Sequence, residues 1–212
     1  VSIASPVMPC AADLQAVFVT VLNIGLDTLE SLELYWEVNG VVQAPFNWTG
    51  NLLSGETADS VNLGNFTFEL DTAYTIRAWT ANPNGLPDLE NFNDTTEVSN
   101  LYAALGGEYT LGGSNPNFIS FNHAATSLAN GGVIAPVTFN VRNGTYEEQV
   151  SFGAVLGADA TNTITFQSEQ GDSSAVLLRY GNTTNTINYV LQLDGADYFR
   201  FRQLSLESTS SV

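Results

Sequence analysis

Lysine is absent from these 212 residues, and the five basic side chains are all arginine: Arg77, Arg142, Arg179, Arg200 and Arg202. Against 22 aspartates and glutamates they leave a formal net charge of −17. Nucleic-acid binding needs basic side chains gathered against phosphates, and five scattered arginines cannot form that patch. The same balance excludes attraction to an anionic membrane surface. It suits solubility in salty or divalent-rich surroundings, where screening shortens the reach of self-repulsion, and so points to an extracellular or cell-surface location.

Cys10 is the only cysteine. The chain therefore closes no internal disulfide and cannot assemble a thiolate zinc site by itself. His123 is the only histidine; no Ser and Asp arrangement of a triad surrounds it, and its expected place is a solvated helix surface. No run approaches the ~18 uninterrupted apolar residues of a membrane span, and the N-terminus lacks a charged region leading into an apolar core, so membrane insertion is not expected. Asn-x-Ser/Thr sequons at Asn47, Asn65, Asn93, Asn143 and Asn182 are what a chain so rich in Asn and Thr yields by chance, and they do not predict glycosylation.

What is present is apolar and aromatic: 44% hydrophobic residues and 11% aromatics, enough for packed cores in one large domain or two ordinary ones. From Ala16 the pattern alternates in short runs, Ala16 to Asn23, Leu32 to Val38, Thr57 to Leu63 and Ala73 to Thr80, separated by turn residues. Within the second run Leu32, Leu34, Trp36 and Val38 share one face and Glu33, Tyr35 and Glu37 the other, the period of a half-buried strand. Asn39-Gly40 supplies the positive φ angles of a tight hairpin returning through Val41 and Val42. Several short strands with regular turns predict an antiparallel sandwich, with Trp36 and Trp79 in its core.

The strings Val7-Met8-Pro9-Cys10, Trp36-Glu37-Val38-Asn39-Gly40, Trp48-Thr49-Gly50-Asn51-Leu52, Tyr74-Thr75-Ile76-Arg77-Ala78-Trp79 and Asn93-Asp94-Thr95 resemble the adhesion-related immunoglobulin-like modules called CARDB. Such modules occur in large secreted proteins of gliding and marine bacteria. The resemblance covers residues 1–98 and implies a seven-stranded sandwich serving as spacer or adhesive unit, with no catalytic residue. Residues 99–106 read as a linker, since Leu101 to Leu105 is too short for an element of its own.

Beyond it, Phe118, Phe121, Ala124, Ala125 and Leu128 recur at steps of three and four, one apolar stripe of a helix within Asn117 to Asn130 that stops at Gly131-Gly132. The period then returns to two. Phe139 and Phe166 sit 27 positions apart in the similar strings Val137-Thr138-Phe139-Asn140 and Ile164-Thr165-Phe166-Gln167, and Leu191 follows 25 positions later. Steps of 20 to 30 residues are those of a solenoid turn. Helix, then Pro136-Val137-Thr138-Phe139, then Asn143-Gly144-Thr145-Tyr146, then Thr163-Ile164-Thr165-Phe166 resembles the opening of pectin-lyase-like and pectin-methylesterase-like β-helices. The fold class expected is therefore all-β: an Ig-like β-sandwich over 1–98, then the helix-capped start of a right-handed parallel β-helix over 107–212. A solenoid layer buries its apolar face only against a neighbour. If the last layer bares roughly 300 to 600 Å² of apolar surface, exposure costs on the order of 7 to 15 kcal/mol. The chain is thus expected to be part of something longer, or to bury that end in a partner.

The chemistry legible in the sequence is sparse. Enzymes of the β-helix family use an Arg or Lys base beside calcium-bound carboxylates, or paired aspartates. Here lysine is missing, and Asp194 and Asp197 near Arg200 and Arg202 read as a turn followed by an outward-facing strand. Asp88, Glu90 and Asp94 form an acidic cluster among Asn82, Asn84, Asn91 and Asn93; calcium is the metal such oxygen ligands would suit, although a solvated loop has the same composition. Trp48 is the candidate carbohydrate contact, since a flat ring stacks on a sugar face, with packing at a strand end as the alternative. The expectation is a non-catalytic structural or adhesive segment of a large secreted, surface-displayed or filament-forming protein. Its partners would be further domains of the same polypeptide, neighbouring copies or a surface glycan. The alternatives are a polysaccharide-active enzyme with its catalytic coils beyond Val212, and a carbohydrate-binding module.

Overall fold

The computed structural model describes residues 1–88, 90–181 and 188–209, so the sequon at Asn182 lies outside the described residues. The chain splits into two compact units, Val1–Ala103 and Ala104–Val212. No helix among the described residues is long and apolar enough to cross a membrane.

The first unit holds β1 (Ser2–Ser5), β2 (Leu14–Leu22), β3 (Leu29–Val38), β4 (Val41–Val42), β5 (Phe46–Leu52), β6 (Thr57–Thr67), β7 (Tyr74–Ala81) and β8 (Thr95–Leu101). Two antiparallel sheets form: β1-β2-β6, and β4-β3-β7-β8 with β5 also paired to β3. Alternate residues of both sheets meet in one core, including Val17, Val19 and Val21 from β2, Leu34, Trp36 and Val38 from β3, and Ile76 and Ala78 from β7. This is the β-sandwich, with eight strands among the described residues rather than the expected seven. The additional strand is the two-residue β4, created where Asn39 (φ 48°) and Gly40 (φ 78°) turn the chain so that Val38 pairs with Val41. Trp79 is not a core residue: Tyr74, Ile76 and Ala78 take the buried face of β7, so strand parity puts Trp79 on the other.

The expected linker 99–106 is shorter than its sequence implied. Leu101 and Leu105 are both buried and serve as the anchoring ends of β8 and of β9 (Leu105–Leu111), leaving Tyr102 to Ala104 outside the named strands.

The second unit continues with α1 (Phe121–Gly131), β10 (Val133–Val141), β11 (Gly144–Glu147), β12 (Val150–Phe152), β13 (Ile164–Ser168), β14 (Val176–Tyr180), β15 (Leu191–Leu193), β16 (Phe199–Arg202) and β17 (Ser205–Ser208). Three sheets result, β9-β10-β13-β16, β11-β14-β17 and β12-β15, and every pairing in them is parallel. The chain passes through β10, β11 and β12, then β13, β14 and β15, then β16 and β17. Each pass lies in register on the one before, so that Tyr109, Phe139, Phe166 and Phe201 form one column. The step from Phe139 to Phe166 is the expected 27 positions. Leu191, however, pairs with Val150, and the residue over Phe166 is Phe201. Turns between stacked strands accept insertions at little entropic cost, so a fixed repeat length is lost where a turn lengthens.

Helix α1 begins one turn later than its apolar stripe. Phe118 instead forms a parallel bridge with Leu111, and Ser120 in extended conformation caps the helix, its hydroxyl accepting from the His123 amide at 3.0 Å. Phe121, Ala124 and Leu128 are fully buried, while Ala125 is half-buried. The helix stops at Gly132 (φ 70°), whose amide donates to the Leu128 carbonyl; a Cβ there would lie 2.5 Å from the Leu156 carbonyl oxygen. His123 is not a solvated surface group. It is half-buried, its ring 5.0 Å from that of Phe118, and its Nδ1 accepts from the Ile119 amide at 3.2 Å.

Candidate functional site

In the sandwich unit a cleft of about 590 Å³ opens beside the β7–β8 connection. Its apolar wall includes Val21, Leu29 and Leu32 from the core and the exposed ring of Phe92, and its polar wall includes Thr80, Asp88 and Asp94. Asp94 is only 8% exposed. Its backbone carbonyl accepts from the Thr80 amide at 3.1 Å and its carboxylate from the Thr80 hydroxyl at 3.3 Å, fastening the connection to the end of β7. Burial first, and then the facing Asp88 carboxylate, hold the Asp94 carboxyl above the usual range. Asp88 in turn accepts from the Glu90 amide at 2.9 Å.

Asp88 and Asp94 are thus brought together, whereas Glu90 is exposed. Among the described residues no group of three or more His, Cys, Asp or Glu side chains is placed to hold a metal ion. Nearby Asn23, 6% exposed, donates to the carbonyls of Asp27 and Leu52 and accepts from the Gly25 amide, so its amide shapes the cleft's backbone.

Trp48 is half-buried and packs against the sandwich core. Its ring lies directly over Gly50, where an added Cβ would meet the indole at 2.2 Å. The aromatic pair on the outer face of the second sheet went unnoticed in the sequence. Tyr35 and Trp79 face each other across β3 and β7 with ring centroids 5.7 Å apart and planes 11° from parallel, and the Arg77 guanidinium lies 5.7 Å from the Trp79 ring. The Tyr35 hydroxyl donates to Glu33 at 2.8 Å, and Asn82 donates to the same carboxylate oxygen at 2.9 Å. The signal that could have found this pair is parity: both residues fall off the apolar face of their strands.

In the parallel unit Asp194 and Asp197 are exposed, Gly195 carries the positive φ of a turn, and Arg200 and Arg202 share the outward face of β16. Arg200 donates to the Thr163 hydroxyl at 3.1 Å. The more informative feature is a gradient of burial. In the first and second passes Val150, Phe152, Ile164, Phe166, Val176 and Leu178 are at most 2% exposed. In the last strands, Leu191, Phe199 and Phe201 are half-buried, and Leu193 and Leu206 are 49% and 56% exposed. Leu206 sits in register on Leu178, so the same column passes from core to solvent in one step.

No protein-family model matches this chain, and no curated protein matches it. Among solved structures it is similar to the crystal structure of the CARDB domain of a Pyrococcus furiosus protein in complex with di-metal ions, at 23% sequence identity, over 49% of this chain and 90% of that one, with a TM-score of 0.39.

Proposed function

We propose that this chain is a non-catalytic structural segment of a large secreted, surface-displayed bacterial protein. In this reading the antiparallel unit is an Ig-like, CARDB-like spacer. The parallel unit is the helix-capped start of a right-handed parallel β-helix on which further layers of the same polypeptide stack. The observation that carries the reading is the burial gradient: side chains fully buried at Phe166 and Leu178 have register partners at Phe201 and Leu206 that are partly or largely exposed. A stacked layer is stabilised by neighbours on both sides, and terminal layers need covering. Calcium enters this reading only through Asp88 and Asp94, the two carboxyls of the acidic loop in contact. Hydrogen exchange tests the solenoid reading: amides of β13 and β14 should exchange far more slowly than those of β16 and β17, and equal protection would overturn it. Turnover of pectin or alginate by this chain would overturn the non-catalytic part.

A second reading, carbohydrate contact, rests on the Tyr35–Trp79 face rather than on Trp48, whose ring is engaged with Gly50 and the core. It predicts glycan-array binding lost in Trp79→Ala; binding unchanged in that variant would remove it.

A further inference from the structure

The last strands of the parallel unit carry a charge register as well as an exposed apolar row. In the first sheet, Glu108, Thr138, Thr165 and Arg200 form one column on the face away from the core, in which Thr165 is itself only 7% exposed, and Thr110, Asn140, Gln167 and Arg202 form the next. Each column ends on an exposed guanidinium. Within the second column Gln167 donates to Asn140 at 3.0 Å, a side-chain ladder running along the stack. In the second sheet Glu147, Arg179 and Glu207 alternate in sign: Arg179 Nε donates to Glu147 at 2.6 Å, and its Nη1 lies 3.9 Å from Glu207. That column ends on an exposed carboxylate. The inward positions between these ends are Phe201 and Leu206.

Resting on the reading that further layers stack here, we infer that the edge of β16 and β17, which pairs with no further strand among the described residues, is a strand-addition site with a readable code. It admits the next parallel layer of the same polypeptide when that layer carries carboxylates or amides over Arg200 and Arg202, a cation over Glu207, and apolar side chains over Phe201 and Leu206. A directly opposed unlike pair stabilises a sheet and a like pair destabilises it, and exposed backbone donors and acceptors at the edge supply the pairing itself.

A second copy of this chain fits badly at that edge. Two copies meeting edge to edge about a twofold axis would set Arg200 and Arg202 against the same arginines, and the outward face of β17 against itself at Glu207. Head-to-tail stacking would require the free side of β9. There, residues 117 and 118 already occupy the strand: the Phe118 amide donates to the Thr110 carbonyl at 3.0 Å, the Gly112 amide donates to the Phe118 carbonyl at 2.8 Å, and the Asn117 side chain accepts from the Thr110 amide at 2.9 Å. Both arguments favour a covalently continuous layer over self-assembly.

The test uses the whole chain and two labelled peptides copying residues 163–168. One has glutamate at the positions of Thr165 and Gln167, and the other has lysine at both. Fluorescence anisotropy should give at least tenfold tighter binding of the glutamate peptide, a preference that shrinks in high salt and reverses in the Arg200→Glu, Arg202→Glu double variant. Both substitutions lie on the outward face, and the peptide comparison stands without them. The chain should sediment as a monomer. Equal binding of the two peptides, no binding of either, or a concentration-dependent dimer abolished by the double variant would overturn the inference. Hydrogen exchange separates this failure from that of the underlying reading. Fast-exchanging amides in β16 and β17 with no peptide preference would remove only the charge code, whereas slow-exchanging amides there in a monomer would remove the open layer itself.

Discussion

Phe139 and Phe166 lie face to face, directly paired in register between β10 and β13, with ring centroids 4.4 Å apart and planes within 16° of parallel. Phe166 also meets Phe121 of the helix, Phe152 of the adjoining sheet, and Phe201 above it at 5.5 Å. One ring therefore ties the helix and two of the sheets together. Phe166→Ala should cost about 3–5 kcal/mol, the range for a fully buried phenylalanine. Phe201→Ala, in the same column but half-buried, should cost less than half as much. Urea denaturation that resolves the transition of the parallel unit checks both, and equal costs would mean the last layer is as well covered as the one before it.

How far these relationships can be read in a linear sequence depends on their range. The stack of Phe139 on Phe166 was legible because two similar strings recur at a solenoid spacing. The next step was not, because more residues separate β14 from β15 than separate β11 from β12, and Leu191 falls on Val150 instead of Phe166. Strand parity identifies Leu32, Leu34, Trp36 and Val38 as core, and the same rule, applied from Tyr74, Ile76 and Ala78, places Trp79 outside. The start of α1 depends on Ser120, a local signal, but also on Phe118 leaving the helical stripe to bridge Leu111, a pairing no helical pattern encodes. Of the acidic loop, composition gave the cluster, but only the fold decides that Asp94 is buried against Asp88 while Glu90 is exposed.

Asp94 gives the sandwich unit a pH dependence with a definite sign. Its carboxyl is held above the usual range by burial and then by Asp88, so the folded unit binds that proton more tightly than the unfolded chain does. The contribution is fully present below the unfolded carboxylate value near pH 4 and is lost as pH rises through the folded one. Asp94→Asn, which keeps an acceptor for the Thr80 hydroxyl, should raise the urea midpoint of the sandwich unit at pH 7 and flatten its decline above pH 4. A calcium-dependent rise in the wild-type midpoint that persists in Asp94→Asn would place any bound ion elsewhere.

Trp48 and Gly50 form a coupled pair in β5. An alanine Cβ at Gly50 would meet the Trp48 ring at 2.2 Å, so Gly50→Ala forces the indole off its seat on the core. Removing the ring first removes that clash. A double-mutant cycle should therefore give Trp48→Ala alone a cost of about 1.5–3 kcal/mol for the lost packing, and make Gly50→Ala less costly by about 1 kcal/mol in the Trp48→Ala background than in the wild type. Additive costs would mean the ring is not fixed over the glycine.

The N-terminus of α1 is held from outside the helix. The Glu148 carboxylate, between β11 and β12, accepts from the amides of Phe121 at 3.1 Å and Asn122 at 2.9 Å and from the Asn122 side chain at 2.9 Å. These are amides that a helix cannot satisfy within itself, and a negative charge there complements the positive end of its dipole. The Ser120 hydroxyl satisfies the His123 amide separately. Ser120→Ala should cost about 1 kcal/mol, an ordinary cap. Glu148→Ala should cost about 1.5–3 kcal/mol, because charge-assisted bonds are lost and the part-buried Phe121 amide is left without a partner. Because the carboxylate reaches across from the neighbouring strands, its loss should also free the helix from them. Hydrogen exchange in Glu148→Ala should accelerate at the amides of Phe121 and Asn122 and at Ala124 to Leu128, while Ile164 to Ser168 stay protected. Acceleration confined to Phe121 and Asn122 would reduce Glu148 to a local cap and leave apolar packing as what anchors the helix.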